Sequence, residues 1–184
     1  MSTNPKHCGA RCDECPLGPN GALQKDEWRP VVGEFHPGAK ILALGEAPRA
    51  EDIMQGRPLM GSAAGEWARF LATAGLNRSH VDLDNVIACK PSGKEGGAWN
   101  RMEKSLDRLN KRRVSQGKDP LPHPADCCRP RLDNVLGKYD KFIALGKTAT
   151  RVLSGQSGSI RSLRGGPMYI DDDWLWSLKP TSKK

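Results

Sequence analysis

No run in this 184-residue sequence approaches the roughly 20 consecutive apolar residues of a bilayer-spanning helix, so no membrane partner is expected. The stretch from Met1 to His7 lacks the apolar centre of a secretory leader, and a cytoplasmic protein is expected. Internal repeats are missing, as is any low-complexity tract beyond the tip formed by Lys183 and Lys184. Missing too is an acidic surplus. The formal net charge is +8, which favours a polyanionic partner but says nothing about fold. A content of 37% hydrophobic and 27% charged residues belongs to globular rather than disordered chains. The length suits one core and is short for two, so residues 1–184 are read as a single domain.

Apolar periodicity is weak over residues 1–40, which are rich in turn formers such as Pro19, Gly21, Pro30, Gly33, Pro37 and Gly38. This segment cannot build a core unaided and is expected to wrap something. Ile41 to Leu44 reads as a short buried strand, with Gly45, Glu46, Ala47 and Pro48 as the loop at its carboxyl end. Ala63, Trp67, Phe70, Leu71 and Ala74 fall at helical spacing, with Ser62 as cap and Gly75 as stop. The pattern recurs. Val81 to Cys89 predicts a second strand, Arg101 to Arg113 a helix, and Arg129 to Lys138 another. Lys141 to Gly146 predicts a third strand and Lys147 to Leu153 a helix, followed by strand candidates at Met168–Ile170 and Trp174–Leu178. Strands alternating with helices imply an α/β chain, a three-layer α/β/α sandwich with a mostly parallel central sheet. Ligands of such folds bind outside the carboxyl ends of the strands, here the loops after Leu44, Cys89, Leu145 and Leu178.

Six cysteines in a reducing compartment point to metal or cluster ligation rather than to disulfides. Cys12-x-x-Cys15 puts two sulfurs within reach of one centre, and thiolates suit zinc and iron–sulfur groups alike. Cys89 and Cys128, one after the second strand and one at the start of a helix, could converge on that pair. Cys8 and Cys127 are left over. Arg101, Lys104, Arg108, Lys111, Arg112 and Arg113, set against Glu103 and Asp107, form a basic helix that either grips phosphates or is a solvated face. Trp67, Trp174 and Trp176 read as core. His36, His80 and His123 lack ligand spacing and receive no role.

One family gathers these landmarks in a single order. Cys12-x-x-Cys15-Pro16-Leu17, Val32-Gly33-Glu34, Leu42 to Pro48, Gly56-Arg57-Pro58-x-x-Gly61, Ala64-Gly65 and Ala74-Gly75-Leu76-x-Arg78 run in that sequence. Asn85-Val86-x-x-Cys89-x-Pro91, Cys128-x-Pro130-x-Leu132, Leu145-Gly146-x-Thr148-Ala149 and Arg164-Gly165 follow. Along nearly its whole length the chain resembles the family 4 uracil-DNA glycosylases, which carry a 4Fe-4S cluster. The resemblance implies that Cys12, Cys15, Cys89 and Cys128 hold that cluster, Cys128 being preferred to Cys127 because the family cysteine stands two residues before proline. It also implies a base-excision enzyme acting on DNA, single- or double-stranded, with the target base flipped out. Such a protein is expected to be a monomer near the nucleoid. Residues 92–126 exceed the family spacing and read as a basic insertion. By position, Glu46 and Asp52 match the motif acids, Asp52 being chosen over Glu51. Ala47, Arg49, Leu59 and Asn85 match substrate-contacting positions: Asn85 reads the base edge, and Leu59 stands where the family has a stacking phenylalanine. Lys179-Pro180-Thr181 stands where the family has His-Pro-Ser, so Lys179 takes the place of a base-oxygen donor. A catalytically reduced relative that only binds DNA or protein is the rival reading, and structural zinc in place of the cluster is another.

Overall fold

A computed structural model describes residues 9–25, 27–93 and 97–155. Its strands are β1 (Ile41–Gly45), β2 (Val81–Asn85) and β3 (Lys141–Ala144), and they form a parallel three-stranded sheet in the order β2-β1-β3. The register pairs Ile41 with Val81 and with Lys141, and Gly45 with Asn85. One antiparallel bridge, Glu34 to Leu83, joins the amino-terminal segment to β2. Among the described residues no helix is long and apolar enough to cross a membrane.

Alternation along each strand sorts the side chains to two faces. Ala43, Val81 and Leu83 pack with Trp67 and Leu71 of α2 (Ala63–Thr73), and Ile143 joins them. Leu42 and Leu44 face the other way, onto Leu132, Val135 and Leu136 of α4 (Pro124–Leu136) and Ala149 and Leu153 of α5 (Lys147–Ser154). Helices therefore cover both faces, which is the expected α/β arrangement. Asp82 and Asp84 share the second face, where burial requires partners. The Tyr139 hydroxyl donates to Asp82, and Arg131 donates to Asp84 at 2.6 Å.

Several boundaries differ from the sequence reading. The second strand ends at Asn85 rather than Cys89, although the Val86 and Ile87 amides still donate to Gly45 and Glu46 carbonyls at 2.9 and 3.2 Å. A short helix α1 (Ala50–Gln55) follows the first loop where no helix was expected. The basic helix α3 runs Ala98–Ser115, three residues earlier than its apolar period suggested, because Gly97 enters it in the left-handed region with no side-chain cap to announce the start. α4 begins at Pro124, not Arg129: His123 accepts from the Ala125 amide, and Pro124 sits where a missing N–H costs nothing. Ser62 makes no capping bond to α2. The strand candidates at 168–170 and 174–178, with Trp174, Trp176 and Lys179, lie outside the described residues.

Candidate active site and thiol cluster

Pro130 inside α4 has no N–H for the Asp126 carbonyl. The Arg11 guanidinium donates to that oxygen at 3.3 Å, and the Arg11 amide donates to the Cys127 carbonyl at 2.9 Å. A proline in the helix thus creates the docking point for the turn that carries Cys12 and Cys15. The turn itself is tight. The Gly18 amide donates to the Cys15 carbonyl at 2.8 Å, and a Cβ on Gly18 would stand 1.8 Å from the Cys12 carbonyl oxygen, so only glycine fits. Cys12, Cys15, Cys89, Cys127 and Cys128 are all buried thiols, and four of them, Cys15, Cys89, Cys127 and Cys128, belong to one core cluster. Burial pushes the Cys15 thiol well above its usual range, and Cys127, Cys128 and Cys89 add to the effect. Burial likewise pushes Cys89 up to about 12, with Cys128 and then Cys12 contributing. Among the described residues, no three or more His, Cys, Asp and Glu are arranged to hold a single metal ion.

The strand order places β2 on one side of β1 and β3 on the other, so the chain switches direction at the carboxyl end of β1. Glu46 leaves that end. Its carboxylate accepts a hydrogen bond from the Thr148 hydroxyl in the first turn of α5, beyond β3. Glu46, Ala47 and Arg49 share a recess of about 80 Å³ with Lys90 and with Ala98 and Trp99 from the first turn of α3. The helix α3 therefore supplies part of the wall. Asn85 ends β2 beside Gly45, and a Cβ on Gly45 would lie 2.4 Å from the Asn85 Oδ1. Glycine at that place lets the carboxamide lie across the end of β1. The Asn85 side chain is buried, and its Nδ2 has no partner among the described residues. An unsatisfied buried donor costs on the order of 1–3 kcal/mol. Behind it, Arg131 holds the Asn85 carbonyl at 2.6 Å and the Asp84 carboxylate, and it interacts with Cys128 as well. A single guanidinium thus ties the thiol cluster to the end of β2.

Asp52 is placed differently from Glu46. It is buried, and its two oxygens accept from the Arg49 amide at 2.9 Å and the Met60 amide at 2.6 Å. It caps α1 and tethers the next loop. Leu59 in that loop has a φ of 56°, where the other positive values among the described residues belong to glycines, a conformation costing roughly 1–2 kcal/mol for an L-residue. It packs beside the α2 face of the sheet and is not part of the Glu46 recess. Arg78 donates to the Pro58 carbonyl at 2.5 Å, to the Leu59 carbonyl at 3.2 Å and to the Glu34 carboxylate at 2.8 Å. Arg57 and the His36 Nε2 also contact Glu34, at 2.8 and 3.0 Å. Burial alone would raise the Glu34 carboxyl; the hydrogen bonds from Arg78 and Arg57 outweigh it and hold the group down at about 2.

Of the basic-helix residues, Arg101, Lys104, Arg108 and Arg112 are exposed at helical spacing on one side of α3, opposite the buried Met102 and Leu106. Lys111 pairs with Asp107 at 2.9 Å, and Arg113 turns to the Asp119 carbonyl at 2.8 Å. Thr148, Arg78, Glu34 and Arg131 were given no role by the sequence reading. The signal for Arg131 was present: two aspartates in a strand of otherwise apolar neighbours demand a buried cation.

The uracil DNA glycosylase superfamily model matches residues 32–182. The chain is 28% identical over 172 residues to the Type-4 uracil-DNA glycosylase of Thermotoga maritima, covering 92% of this chain and 72% of that protein. It is 34% identical over 144 residues to the Pyrobaculum aerophilum protein of the same name, covering 77% of this chain and 59% of that one. With the Archaeoglobus fulgidus Type-4 enzyme it shares 32% identity over 87 residues, 47% of this chain and 44% of the relative. Matched from the first strand to near its end by that model, with Type-4 enzymes among its relatives, the chain belongs to the uracil-DNA glycosylase superfamily.

Proposed function

We propose that the protein is a DNA glycosylase that hydrolyses the N-glycosidic bond of uracil, or of a related or modified pyrimidine, in DNA. The observation that carries this reading is the placement, at the adjoining carboxyl ends of β1 and β2, of the Thr148-held Glu46 and of Asn85, whose buried amide donor lacks a partner among the described residues. Excision requires the base to leave the stack and enter a pocket. An amide can then match a pyrimidine edge, offering its unpaired N–H to a carbonyl oxygen. Cleavage passes through an oxocarbenium-like sugar, which a fixed carboxylate steadies while orienting water for attack at the anomeric carbon. Glu46 fits that task, because the Thr148 hydroxyl fixes its orientation and one edge faces the recess. Asp52, with both oxygens engaged by amides, serves the shape of the loop. Lys179 supplies positive charge to the departing base, as its position in the family motif suggests.

Cys12, Cys15, Cys89 and Cys128 hold a 4Fe-4S cluster in this reading, and Cys127 is the spare. Five buried thiols, three of which (Cys15, Cys89 and Cys127) have their proton affinity raised chiefly by burial, suit a cationic, thiophilic group. A polynuclear centre also spreads its ligands wider than one ion does. Once bound, the cluster would cross-link the amino-terminal turn, the segment after β2 and α4, with no redox role. The α3 insertion grips the DNA backbone through Arg101, Lys104, Arg108 and Arg112. We take the protein to be a single-domain cytoplasmic monomer working at the nucleoid.

The test is base release. Oligonucleotides bearing uracil or modified pyrimidines, single- and double-stranded, are incubated with the purified chain and cleaved at abasic sites with alkali. Scission on at least one substrate, reduced in Lys179→Ala and Glu46→Gln, is the expected result. Tight binding without scission on any substrate would instead assign a binding role.

A further inference from the structure

We propose that Arg78, seated on Glu34 and acting together with Asp52, is a positioning residue that presets the Pro58–Met60 loop in its strained path before DNA arrives. The proposal rests on the glycosylase reading for its consequence, since Leu59 matches the family position that packs a flipped base, but its geometry is independent of that reading.

Three consecutive residues of the loop are held from two sides. The Arg78 fork donates to the carbonyls of Pro58 and Leu59, and the Met60 amide donates to Asp52. Between these ties lies Leu59, the one non-glycine residue with positive φ among the described residues. Leucine adopts that conformation only where its surroundings over-determine it, and such strain gathers at functional loops. The brace itself is rigid. Glu34 is fixed by its bridge to Leu83 in β2, takes Arg78 and Arg57 on its carboxylate, and is flanked by His36. Arg78 lies just before β2, in a short 3-10 turn that Asn77 caps through the Ser79 amide. The loop is thereby referenced to the same strand that ends in Asn85. Arg78 reaches the loop through backbone carbonyls alone, so it acts through Leu59 and not on substrate. Loops held in a reactive geometry accelerate a reaction by removing the search for it, which appears in kcat more than in binding.

The experiment compares the wild-type chain with Arg78→Ala and Arg78→Lys, reading backbone hydrogen exchange and base-release kinetics. In Arg78→Ala the Met60 amide should exchange at least about tenfold faster while the amides of β2 keep their protection. kcat for base release should fall about tenfold, with affinity for undamaged duplex changed by less than about twofold. Lysine can still pair with Glu34 but lacks the planar fork that reaches both carbonyls, so Arg78→Lys should preserve thermal stability and still show the fast Met60 exchange and the low kcat. Unchanged Met60 exchange in both variants would overturn the brace, as would an Arg78→Lys variant with wild-type kcat, which would leave Arg78 a merely structural ion-pair partner. If the wild-type chain releases no base from any oligonucleotide, the glycosylase reading fails by that result alone, and the exchange measurements still decide whether Arg78 holds the loop.

Discussion

Arg131 carries its charge with 1% of its surface exposed, which requires acceptors in place of water. Asp84 and the Asn85 carbonyl supply two of them, each at 2.6 Å. Breaking such a pair strands the other charge, so Arg131→Ala should cost about 3–5 kcal/mol of unfolding free energy. Asp84→Ala should cost nearly as much, and the double variant far less than the sum; a denaturant-unfolding cycle measures this, and strict additivity would show the pair to be uncoupled. Glu34 makes a pH-dependent contribution. Its carboxyl is held at about 2 in the folded chain, below its ordinary value of 4.5, so its stabilisation is full above the ordinary value and disappears as pH falls through the folded one. Wild type should therefore exceed Glu34→Gln by on the order of 2–3 kcal/mol near neutrality, and the gap should close between about pH 4.5 and 2. A gap that does not vary with pH would mean that the ion pairs contribute nothing. Glu46→Gln, which keeps the shape and loses the charge, should lower base release about a hundredfold with little change in melting temperature.

Among the elements, α3 shows both the strength and the limit of reading structure from sequence. Its apolar face through Met102 and Leu106 was legible from spacing, as were β1 and β3 from their short apolar runs. Its first turn was not, because Gly97 starts it without a side-chain cap, and that turn is the part that lines the recess beside Glu46. α1 escaped notice because six residues cannot display a period. At the site, strand-end logic pointed to the loop of Glu46, since an α/β sheet dictates that edge, whereas Asn85 was singled out by its match to the family asparagine. Thr148 and Arg78 could not be ranked that way, because their partners lie 102 and 44 residues distant in sequence. Of the charges of α3, Lys111 is paired with the Asp107 carboxylate and Arg113 donates to the Asp119 carbonyl. Neutralising Arg101, Lys104, Arg108 and Arg112 to glutamine should flatten the dependence of log affinity on log salt by about 0.9 for each phosphate left without its cation. Lys111→Gln with Arg113→Gln removes cations already engaged with the Asp107 carboxylate and the Asp119 main-chain carbonyl and should leave that slope unchanged. Equal effects from the two sets would reduce α3 to a solvated helix.

At the scale of the whole molecule, the segment before β1 contributes Cys15, Leu17 and Val31 to the interior yet, among the described residues, forms none of the helices or strands, so its order depends on what it docks against. The described structure offers it the Asp126 carbonyl at the α4 proline, the Ala88 carbonyl, which accepts from the Val31 amide at 2.7 Å, and the thiol cluster. Hydrogen bonds of that kind contribute about 1 kcal/mol each, too little to order a loop of this length. A thiolate-bound centre contributes far more, because its binding free energy becomes folding free energy. Loss of one ligand should therefore melt the segment first and the sheet later. Cys128→Ser should lose the visible iron–sulfur absorption and most of its iron, and its amino-terminal segment should become sensitive to protease while β1 and β2 stay protected. Cys127→Ser, which removes an equally buried thiol one residue away, should keep both iron and protection. Iron retained in Cys128→Ser and lost in Cys127→Ser would exchange the two assignments. Zinc in place of iron in the wild-type chain, with no visible absorption, would keep the cross-link and discard the cluster.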